Sequence, residues 1–476
     1  MSRTIKQAAL FLTLAFMMVL AIPAGAFAQT SVNTLPGTLP DGATFLIQVP
    51  TPWNGILFLY SHGYVVPGAL NPAEDVGDPA TGAFLLANGF ALAGSSYATT
   101  GWAIREALVD QIAVLDIFDQ AIGHPRKTIA WGHSLGGMIT AGLIQRNPRR
   151  FDAALPMCGV LSGGVATWNT ALDAELAFST LIAPGSGLEL VNITNPTANF
   201  ELAEQILAGA QQTAAGRARI ALGAALGNTP GWFETGSPEP ASTDYASQEE
   251  NQFLWDANVD FPFVFAFRAE LEARAGGNVS WTTGVDFEDQ LNRSVDRDEV
   301  RALYKEAGLD LHQDLQALNH AARIKANPEA VEYLEKNIIY NGRIHIPVLT
   351  LHTKGDGLVV VENESAYKDV VEDAGKEEFL RRNFVDRAGH CAFSPAETIA
   401  AAEKLLDRLE TGRWHDRQPE ELNAIAAALG PTFNVVATQQ GNIIPAAPAF
   451  IELHPGPYLR PFDAFDRECE FGFGCH

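Results

Sequence analysis

The sequence predicts an α/β protein with a mostly parallel central sheet, helices on both faces and a large, mainly helical insertion. Short aliphatic and aromatic runs alternate with segments whose apolar residues recur at helical spacing. This alternation stops after about residue 164 and returns near residue 341. The chain has 476 residues, of which 47% are hydrophobic and 18% charged, so it is long enough to bury a large core.

The predicted strands are short runs of aliphatic, β-branched and aromatic residues that end at turn residues. The first two runs are separated by only five residues, so we expect them to be neighbours in the sheet. The strands are predicted at residues 43–49, 55–60, 90–96, 128–131, 153–157, 347–352 and 379–385.

The predicted helices show apolar residues three and four positions apart. Two of them, 103–122 and 135–146, precede the insertion, and 362–374 and 395–410 follow it. Inside the insertion the helical pattern covers 201–209, 216–226 and 297–320.

These patterns divide the chain into a core in two parts with a segment between them. We predict core residues 29–164 and 341–412, an inserted cap at 165–340, and an extension at 413–476 that packs on the core. The alternative to the insertion is a separate domain. Insertion is favoured because the sheet on either side of the segment is incomplete without the other part.

The first 28 residues are typical of a signal peptide. Arg3 and Lys6 precede a short apolar run, and Ala26 and Ala28 have the spacing that signal peptidase prefers. The alternative is an uncleaved anchor, but the run is short for a membrane span. We therefore expect cleavage after residue 28, secretion to an extracellular or periplasmic compartment, and no stable membrane insertion afterwards.

The charge of the chain limits its partners. The formal net charge is -24, and no basic patch is visible, so nucleic acid is not an expected partner. No sequence feature calls for a cofactor or a metal, because the cysteines have no paired C-x-x-C spacing. The sequence leaves the oligomeric state open.

Ser134 stands in the stretch "TIAWGHSLGGMITAGLI", where an apolar strand pattern changes at once to a helical one. Gly132 and Gly136 flank it at two-residue distance. A sharp strand–helix corner brings the two backbones so close that a Cβ at either glycine would clash. The motif alone is only suggestive, but the strand before it and the helix after it are the setting of an exposed nucleophile.

With that setting, "GHSLGG" resembles the nucleophile elbow of the α/β-hydrolase superfamily, and the resemblance covers residues 43–164 and 346–410. It implies an α/β-hydrolase fold with a cap inserted after the strand that follows the nucleophile helix. It also implies the catalytic order Ser, then Asp or Glu, then His.

The superfamily order indicates the acid and the base. Asp356 follows a predicted strand in "PVLTLHTKGDGLVV", although aspartate is also common in turns; Glu362 and Glu364 are the reserve acids. His390 in "VDRAGHCAFSP" lies on the loop after the last predicted core strand. The resemblance thus implies a catalytic triad of Ser134, His390 and Asp356 that works through an acyl-enzyme.

An oxyanion hole is implied in the same way. The first donor is expected to be the N–H of Leu135, directly after the nucleophile. The second is expected from "LYSHGY", with the N–H of Tyr64 as first choice and that of Gly63 as second.

Four cysteines follow the signal segment, and they allow two disulfides in three pairings. Cys469 and Cys475 would close a small loop in the tail, which would leave Cys158 for Cys391. The position of Cys391 next to the histidine resembles tannases and feruloyl esterases, but His133, not a cysteine, precedes the serine here. Two free thiols are the alternative.

Aromatic residues suggest the kind of substrate. Tyr97 and Trp102 follow a strand at the expected catalytic edge, and His133 adjoins the nucleophile, so all three are candidates for substrate contact. The insertion adds alternating phenylalanines at positions 261, 263, 265 and 267. The expectation is a secreted serine hydrolase that cleaves a small-molecule or polymeric carboxylic ester with an apolar or aromatic acyl group. The alternatives are a serine peptidase or amidase and a non-catalytic binding protein.

Overall fold

The computed structural model describes residues 31–415 and 418–462. The predicted signal peptide, Cys469 and Cys475 lie outside these residues. Within them, no helix combines the length and apolar character needed to cross a membrane.

The central sheet has nine strands. The described residues form β1 (Ser31–Thr38), β2 (Thr44–Thr51), β3 (Ile56–Ser61), β4 (Ala91–Ser95), β5 (Lys127–His133), β6 (Ala153–Met157), β7 (Val348–Gly355), β8 (Leu380–Ala388), β9 (Val435–Ala437), β10 (Ile443–Pro445) and β11 (Phe450–Ile451). The sheet order is β1-β2-β4-β3-β5-β6-β7-β8-β11, and β9 pairs with β10 separately. The six strands from β4 to β8 in this order are parallel, while β1, β2 and β11 add antiparallel edges.

Helices cover both faces of the sheet and fill the insertion. They are α1 (Pro79–Ala87), α2 (Ile104–Ala121), α3 (Leu135–Arg146), α4 (Gly164–Leu181), α5 (Pro196–Ala210), α6 (Ala214–Gly227), α7 (Tyr245–Trp255), α8 (Arg268–Ala275), α9 (Phe287–Arg293), α10 (Arg297–Ala307), α11 (Leu311–His320), α12 (Pro328–Asn337), α13 (Asn363–Asp373), α14 (Pro395–Thr411) and α15 (Pro419–Ala428). Two π-helical segments, Asp256–Asp260 and Phe263–Phe267, join α7 to α8.

Alternating side chains of the parallel strands pack on opposite faces of the sheet. In β3, Leu57 and Leu59 belong to the apolar cluster formed with α2 and α3. Phe58 of the same strand belongs to the cluster formed with α1, α14 and α15. Both faces are buried, which explains why these strands read as continuous apolar runs and confirms the predicted α/β sheet.

The helices α4 to α12 lie between β6 and β7 in the chain, although these two strands are parallel neighbours in the sheet. The segment has an apolar cluster of its own, centred on residues such as Leu222 and Phe265. The sheet is therefore continuous across a long helical interruption of the sequence.

Several local predictions were wrong. The strands β2 and β3 are not neighbours, because β4 lies between them and pairs with both. The edge strand β1 was missed, since its largely exposed residues include a proline and a glycine and carry little hydrophobic pattern. The single helix expected at residues 297–320 is two helices, because Gly308 ends α10 in the left-handed conformation.

The tail after residue 412 is more regular than its prolines suggest. It contains the helix α15, which packs on α14, and the strand β11, which pairs with β8 at the edge of the central sheet. Both elements are short, so the sequence pattern in this region was too weak to indicate them.

Candidate active site

Ser134 occupies the corner between β5 and α3, with φ 58° and ψ -123°. Its N–H donates to the carbonyl of Met157 on the neighbouring strand, at 2.9 Å, which fixes the corner against the sheet. A Cβ at Gly132 would lie 2.4 Å from the Ser61 carbonyl oxygen, and one at Gly136 would lie 1.9 Å from it. Only glycine fits at both positions, which is the reason predicted from the sequence.

His390 and Asp356 reach Ser134 from the ends of two other strands. Asp356 directly follows β7, and His390 lies on the short loop between β8 and α14. The Nε2 atom of His390 is 2.8 Å from the Ser134 Oγ, and its Nδ1 is 2.8 and 3.0 Å from the two carboxylate oxygens of Asp356. Val359 donates its N–H to Asp356 Oδ1 at 2.9 Å.

This hydrogen-bonded series stands at the carboxyl edge of a parallel sheet, in the chain order Ser, Asp, His. Residues 101–180, which include the serine corner, match the model of the prolyl oligopeptidase family. The chain is a serine hydrolase with the α/β-hydrolase fold. The superfamily resemblance predicted from "GHSLGG" is confirmed.

Known proteins similar to this hydrolase include both amidases and esterases. The o-phthalyl amidase of Xanthobacter agilis is 28% identical over 428 residues, which cover 82% of this chain and 90% of that one. Among solved structures, the rice cell wall degrading esterase LipA from Xanthomonas oryzae is 15% identical in its G231F mutant, with 80% of this chain and 91% of that chain covered and a TM-score of 0.37. Feruloyl esterase B from Aspergillus oryzae is 14% identical, with 81% and 82% covered and a TM-score of 0.37.

The loop after β3 lies beside the serine of the hydrolase. A Cβ on Gly63 would be 3.5 Å from the Ser134 Cβ and 4.0 Å from its Oγ. The next residue, Tyr64, packs its ring on Phe263 with ring centroids 5.1 Å apart. Leu135 is the first residue of α3, so its N–H has no acceptor within the helix. Of the three residues expected to form an oxyanion hole, Gly63 and Leu135 thus lie next to Ser134, and Tyr64 follows Gly63 in the chain.

A disulfide joins Cys158 to Cys391, with the Cα atoms 5.4 Å apart. This bond confirms the proposed pairing and excludes free thiols at these two positions. It connects the end of β6 to the loop that carries His390, and the Cys391 Sγ lies 3.4 Å from the His390 Nε2. The two cysteines and Ser134 all have positive φ, so the left-handed conformations cluster at this corner.

A cavity of about 160 Å³ opens beside Ser134, and residues of α4, α6 and the two π-helical segments line part of it. Its walls are mostly apolar, and Leu358, Val359 and Val360 of the loop after Asp356 form one side. Phe261 and Phe265 pack edge to face at 4.8 Å, and Phe261 packs on Phe178 at 5.0 Å. The aromatic residues that line the cavity are Tyr64, Trp102, Trp168, Phe178, Phe261, Phe263, Phe265 and Tyr458.

Of the three residues expected to contact substrate, only Trp102 lines this cavity, where it packs against Trp168. Contrary to expectation, Tyr97 does not line the cavity. It is buried, stacks on His62 with ring centroids 3.9 Å apart, and its hydroxyl donates to the His62 carbonyl. His133 does not line the cavity either, and its Nδ1 lies 3.1 Å from the Tyr60 hydroxyl. Burial lowers the pKa of His133 to about 4, so the ring is neutral at pH 7.

Carboxyl groups in the cavity are a feature that the sequence analysis missed. Asp256 and Asp260 of the first π-helical segment both line the cavity. Burial and the charge of Glu249 raise the pKa of Asp256 to about 8, and burial raises that of Asp260 well above the usual range. The only basic side chain among the described lining residues, Arg219, is paired with Asp314 at 2.8 Å. Glu175 also lines the cavity, and burial raises its pKa to about 8, so the lining carboxyls are mostly protonated at pH 7.

These carboxyls could not be recognised in the sequence, because aspartates at positions 256 and 260 resemble an ordinary solvated helix face. Tyr458, which reaches the cavity from the tail, was also missed, because the sequence around it has no helical or strand pattern that places it near the sheet edge. Within residues 31–415 and 418–462, no group of three or more His, Cys, Asp and Glu side chains is arranged to hold a metal ion.

Proposed function

We propose that this hydrolase cleaves carboxylic esters with an aromatic or other compact apolar acyl group through an acyl-enzyme on Ser134. The observation that carries the proposal is the unbroken hydrogen-bonded series from the Ser134 Oγ through His390 to Asp356, which opens into an aromatic cavity.

The roles of the three residues follow from their contacts. Asp356 accepts a hydrogen bond from the Nδ1–H of His390, so Nε2 is left with a lone pair that faces the Ser134 hydroxyl. As Ser134 attacks the ester carbonyl, His390 takes its proton and then passes it to the departing alkoxide. Water then attacks the acyl-enzyme by the same route, and Ser134 is released.

The negative charge that develops on the carbonyl oxygen needs fixed donors. The N–H groups of Leu135 and Tyr64 are proposed for this role, with Gly63 as the alternative to Tyr64. Each donor contributes about 3 to 4 kcal/mol to transition-state stabilisation in comparable sites. A fixed position for the Tyr64 backbone is supported by the packing of its ring on Phe263.

The cavity size supports an acyl group of about one aromatic ring. Its volume of about 160 Å³ is close to that of an apolar cavity of about 150 Å³ that binds benzene. Edge-to-face contacts with the surrounding phenylalanines and tryptophans would orient such a ring. A long alkanoyl chain would exceed this volume.

Amide cleavage is the second candidate, and the similarity to the o-phthalyl amidase favours it. The same serine chemistry cleaves both bonds, and the two substrates differ mainly in the leaving group. A non-catalytic binding role has less support, since it would leave the assembled Ser134, His390 and Asp356 without a purpose.

A matched set of substrates, which differ in the bond cleaved or in the acyl group, tests the proposal. p-Nitrophenyl benzoate is expected to be hydrolysed faster, by kcat/KM, than the p-nitroanilide of benzoic acid and than p-nitrophenyl esters of long alkanoic acids. The reasons are the better leaving group of the ester and the size of the cavity. A higher kcat/KM for the anilide would instead assign amide cleavage, and equal turnover of all acyl groups would contradict the proposed acyl pocket.

The pKa of Asp256 predicts how an anionic acyl group is treated. Below pH 8 the carboxyl is neutral, and above pH 8 it is ionised and repels a carboxylate in the same cavity. The kcat/KM for a 2-carboxybenzoyl ester, divided by that for the benzoyl ester, is expected to fall about tenfold from pH 7 to pH 9, as two like charges in a partly buried site imply. The ratio removes any pH effect common to both substrates.

Asp256→Asn supplies the control, because the amide has the same size but does not ionise. In this variant the ratio should fall less between pH 7 and pH 9 than in the wild type, since only Asp260 and Glu175 remain as ionisable carboxyls of the cavity among the described residues. A wild-type ratio that does not change between pH 7 and pH 9 would show that Asp256 does not face the acyl group.

The proposed setting is an oxidising compartment outside the cytoplasm, with residues 1–28 as the signal and residues 165–340 as a cap over the cavity. The Cys158–Cys391 disulfide supports this location, since such bonds persist mainly in exported proteins. The strongly acidic composition supports a small-molecule or polymeric ester, not a nucleic acid, as the partner.

A further inference from the structure

His352 lies on β7, four residues before Asp356, and its side chain is fully buried. Its Nε2 is 2.7 Å from the carbonyl oxygen of Val359 and 3.7 Å from Asp356 Oδ2. Its Nδ1 is 3.2 Å from Glu364 Oε1 on α13. The other carboxylate oxygen of Glu364 accepts the Thr350 hydroxyl at 2.6 Å. A fully buried histidine thus lies close to the carboxylate that contacts His390.

The contacts of His352 indicate which of its ring nitrogens carry hydrogen. A carbonyl oxygen can only accept, so Nε2 must carry a hydrogen toward Val359. Nδ1 faces a carboxylate oxygen, so this pair shares one further proton. The shared proton is placed on the imidazole, because both oxygens of Glu364 then act as acceptors, one for the Thr350 hydroxyl and one for Nδ1. His352 then carries a positive charge.

The electrostatic balance agrees with this assignment. Burial alone would lower the pKa of His352, but the hydrogen bond and charge of Glu364, the charge of Asp356 and the bond to Val359 together raise it above its usual value. Three other titratable groups interact with this cluster. Burial raises the pKa of Glu362, just before α13, to about 8, and Asp260 of the first π-helical segment interacts with Asp356. Arg382 of β8 donates to the Glu364 backbone carbonyl.

We propose that His352, charged through its pair with Glu364, is a positioning residue that holds the Asp356 carboxylate oriented toward His390. This inference rests on the proposed function, since it concerns the same serine chemistry. A buried carboxylate is costly without a compensating charge, and His352 supplies one at 3.7 Å from Oδ2, the carboxylate oxygen that His390 also contacts.

His352 also connects the catalytic carboxylate to the acyl cavity. The N–H of Val359 donates to Asp356, while the carbonyl of the same residue accepts from His352. Val359 and its neighbours Leu358 and Val360 line the cavity. The backbone of Val359, and with it this wall of the cavity, is therefore held by the side chains of Asp356 and His352.

The test uses His352→Gln and Glu364→Gln, with the rate at which a fluorophosphonate labels Ser134 measured from pH 5 to pH 9. Loss of a nearby positive charge makes His390 easier to protonate. The acid limb of the rate profile should therefore move to higher pH by about one pH unit in His352→Gln. Glu364→Gln should move it in the same direction, because His352 becomes neutral there. On the acid limb, well below its midpoint, the labelling rate should fall about tenfold in both.

Asp173→Asn is the matched control, because Asp173 is also a fully buried carboxylate but pairs with Arg460, at 2.6 Å, and not with His390. It should lower stability without moving the acid limb. Unmoved limbs in folded His352→Gln and Glu364→Gln would overturn the proposal.

A second measurement does not depend on the variants. In wild-type protein with ¹⁵N-labelled histidine, one histidine should keep both ring nitrogens protonated at pH 8, and its absence would also overturn the proposal. Failure of the proposed function would look different, because the wild-type protein itself would then not be labelled at Ser134.

Discussion

Replacing Ser134 by alanine is expected to lower kcat/KM for p-nitrophenyl benzoate by a factor of about 10⁴ or more. The hydroxyl is the atom that His390 faces at 2.8 Å, and nothing else in the corner can form the acyl-enzyme. Because the side chain is small and the corner is fixed by glycines, the fold should survive. The measurement is steady-state kinetics on protein whose melting temperature matches that of the wild type.

The same kinetic measurement on further variants shows whether Ser134, His390 and Asp356 act together in one step or contribute independently to kcat/KM. His390→Ala should cost about as much as Ser134→Ala, and the double variant should be no worse than either, because the residues act in one step. Asp356→Asn should cost about 10⁴-fold, since the amide favours the wrong tautomer of His390. Additive losses across these variants, or unchanged turnover in Ser134→Ala, would contradict the mechanism.

Replacing Gly136 by alanine is expected to damage both stability and activity. The added Cβ would lie 1.9 Å from the carbonyl oxygen of Ser61 and 2.7 Å from that of His62, so the backbone must move. We expect a loss of roughly 3 kcal/mol in the free energy of unfolding, the upper end for overpacking. Ser61 and His62 lead into the Gly63–Tyr64 loop, and a displacement of about 1 Å there would lower kcat about 100-fold.

Gly209→Ala is the matched control for this substitution. Gly209 also lies in a helix, but an added Cβ would meet nothing within 4 Å. Alanine should stabilise this helix by about 0.5 to 1 kcal/mol. Urea unfolding of both variants checks the stabilities, and wild-type stability in Gly136→Ala would show that the strand–helix contact is looser than the distances indicate.

The features of the site that the sequence could predict are those with a local cause. The corner at Ser134 needs glycines on both sides, and this requirement is visible as spacing in the chain. The ends of β7 and β8 are marked by turn residues just before Asp356 and His390, so the superfamily order could be matched to them. The Cys158–Cys391 pair followed from the same sheet edge.

The features that could not be predicted depend on contacts between distant segments. The order β2-β4-β3 is set by packing across the sheet, and five intervening residues gave a misleading expectation. Tyr97 was expected at the cavity, but its strand end turns the ring onto His62. The charge of His352 depends on Glu364, which is twelve residues away and was considered only as a reserve acid.

The most direct test of the central claim is the mass of the protein during turnover. Wild-type protein mixed with p-nitrophenyl benzoate and quenched in acid before the steady state should gain the mass of one benzoyl group. Peptide mapping should place this group on Ser134, and Ser134→Ala should show no gain. Turnover of the ester without a covalent intermediate, or a benzoyl group on another residue, would contradict the account.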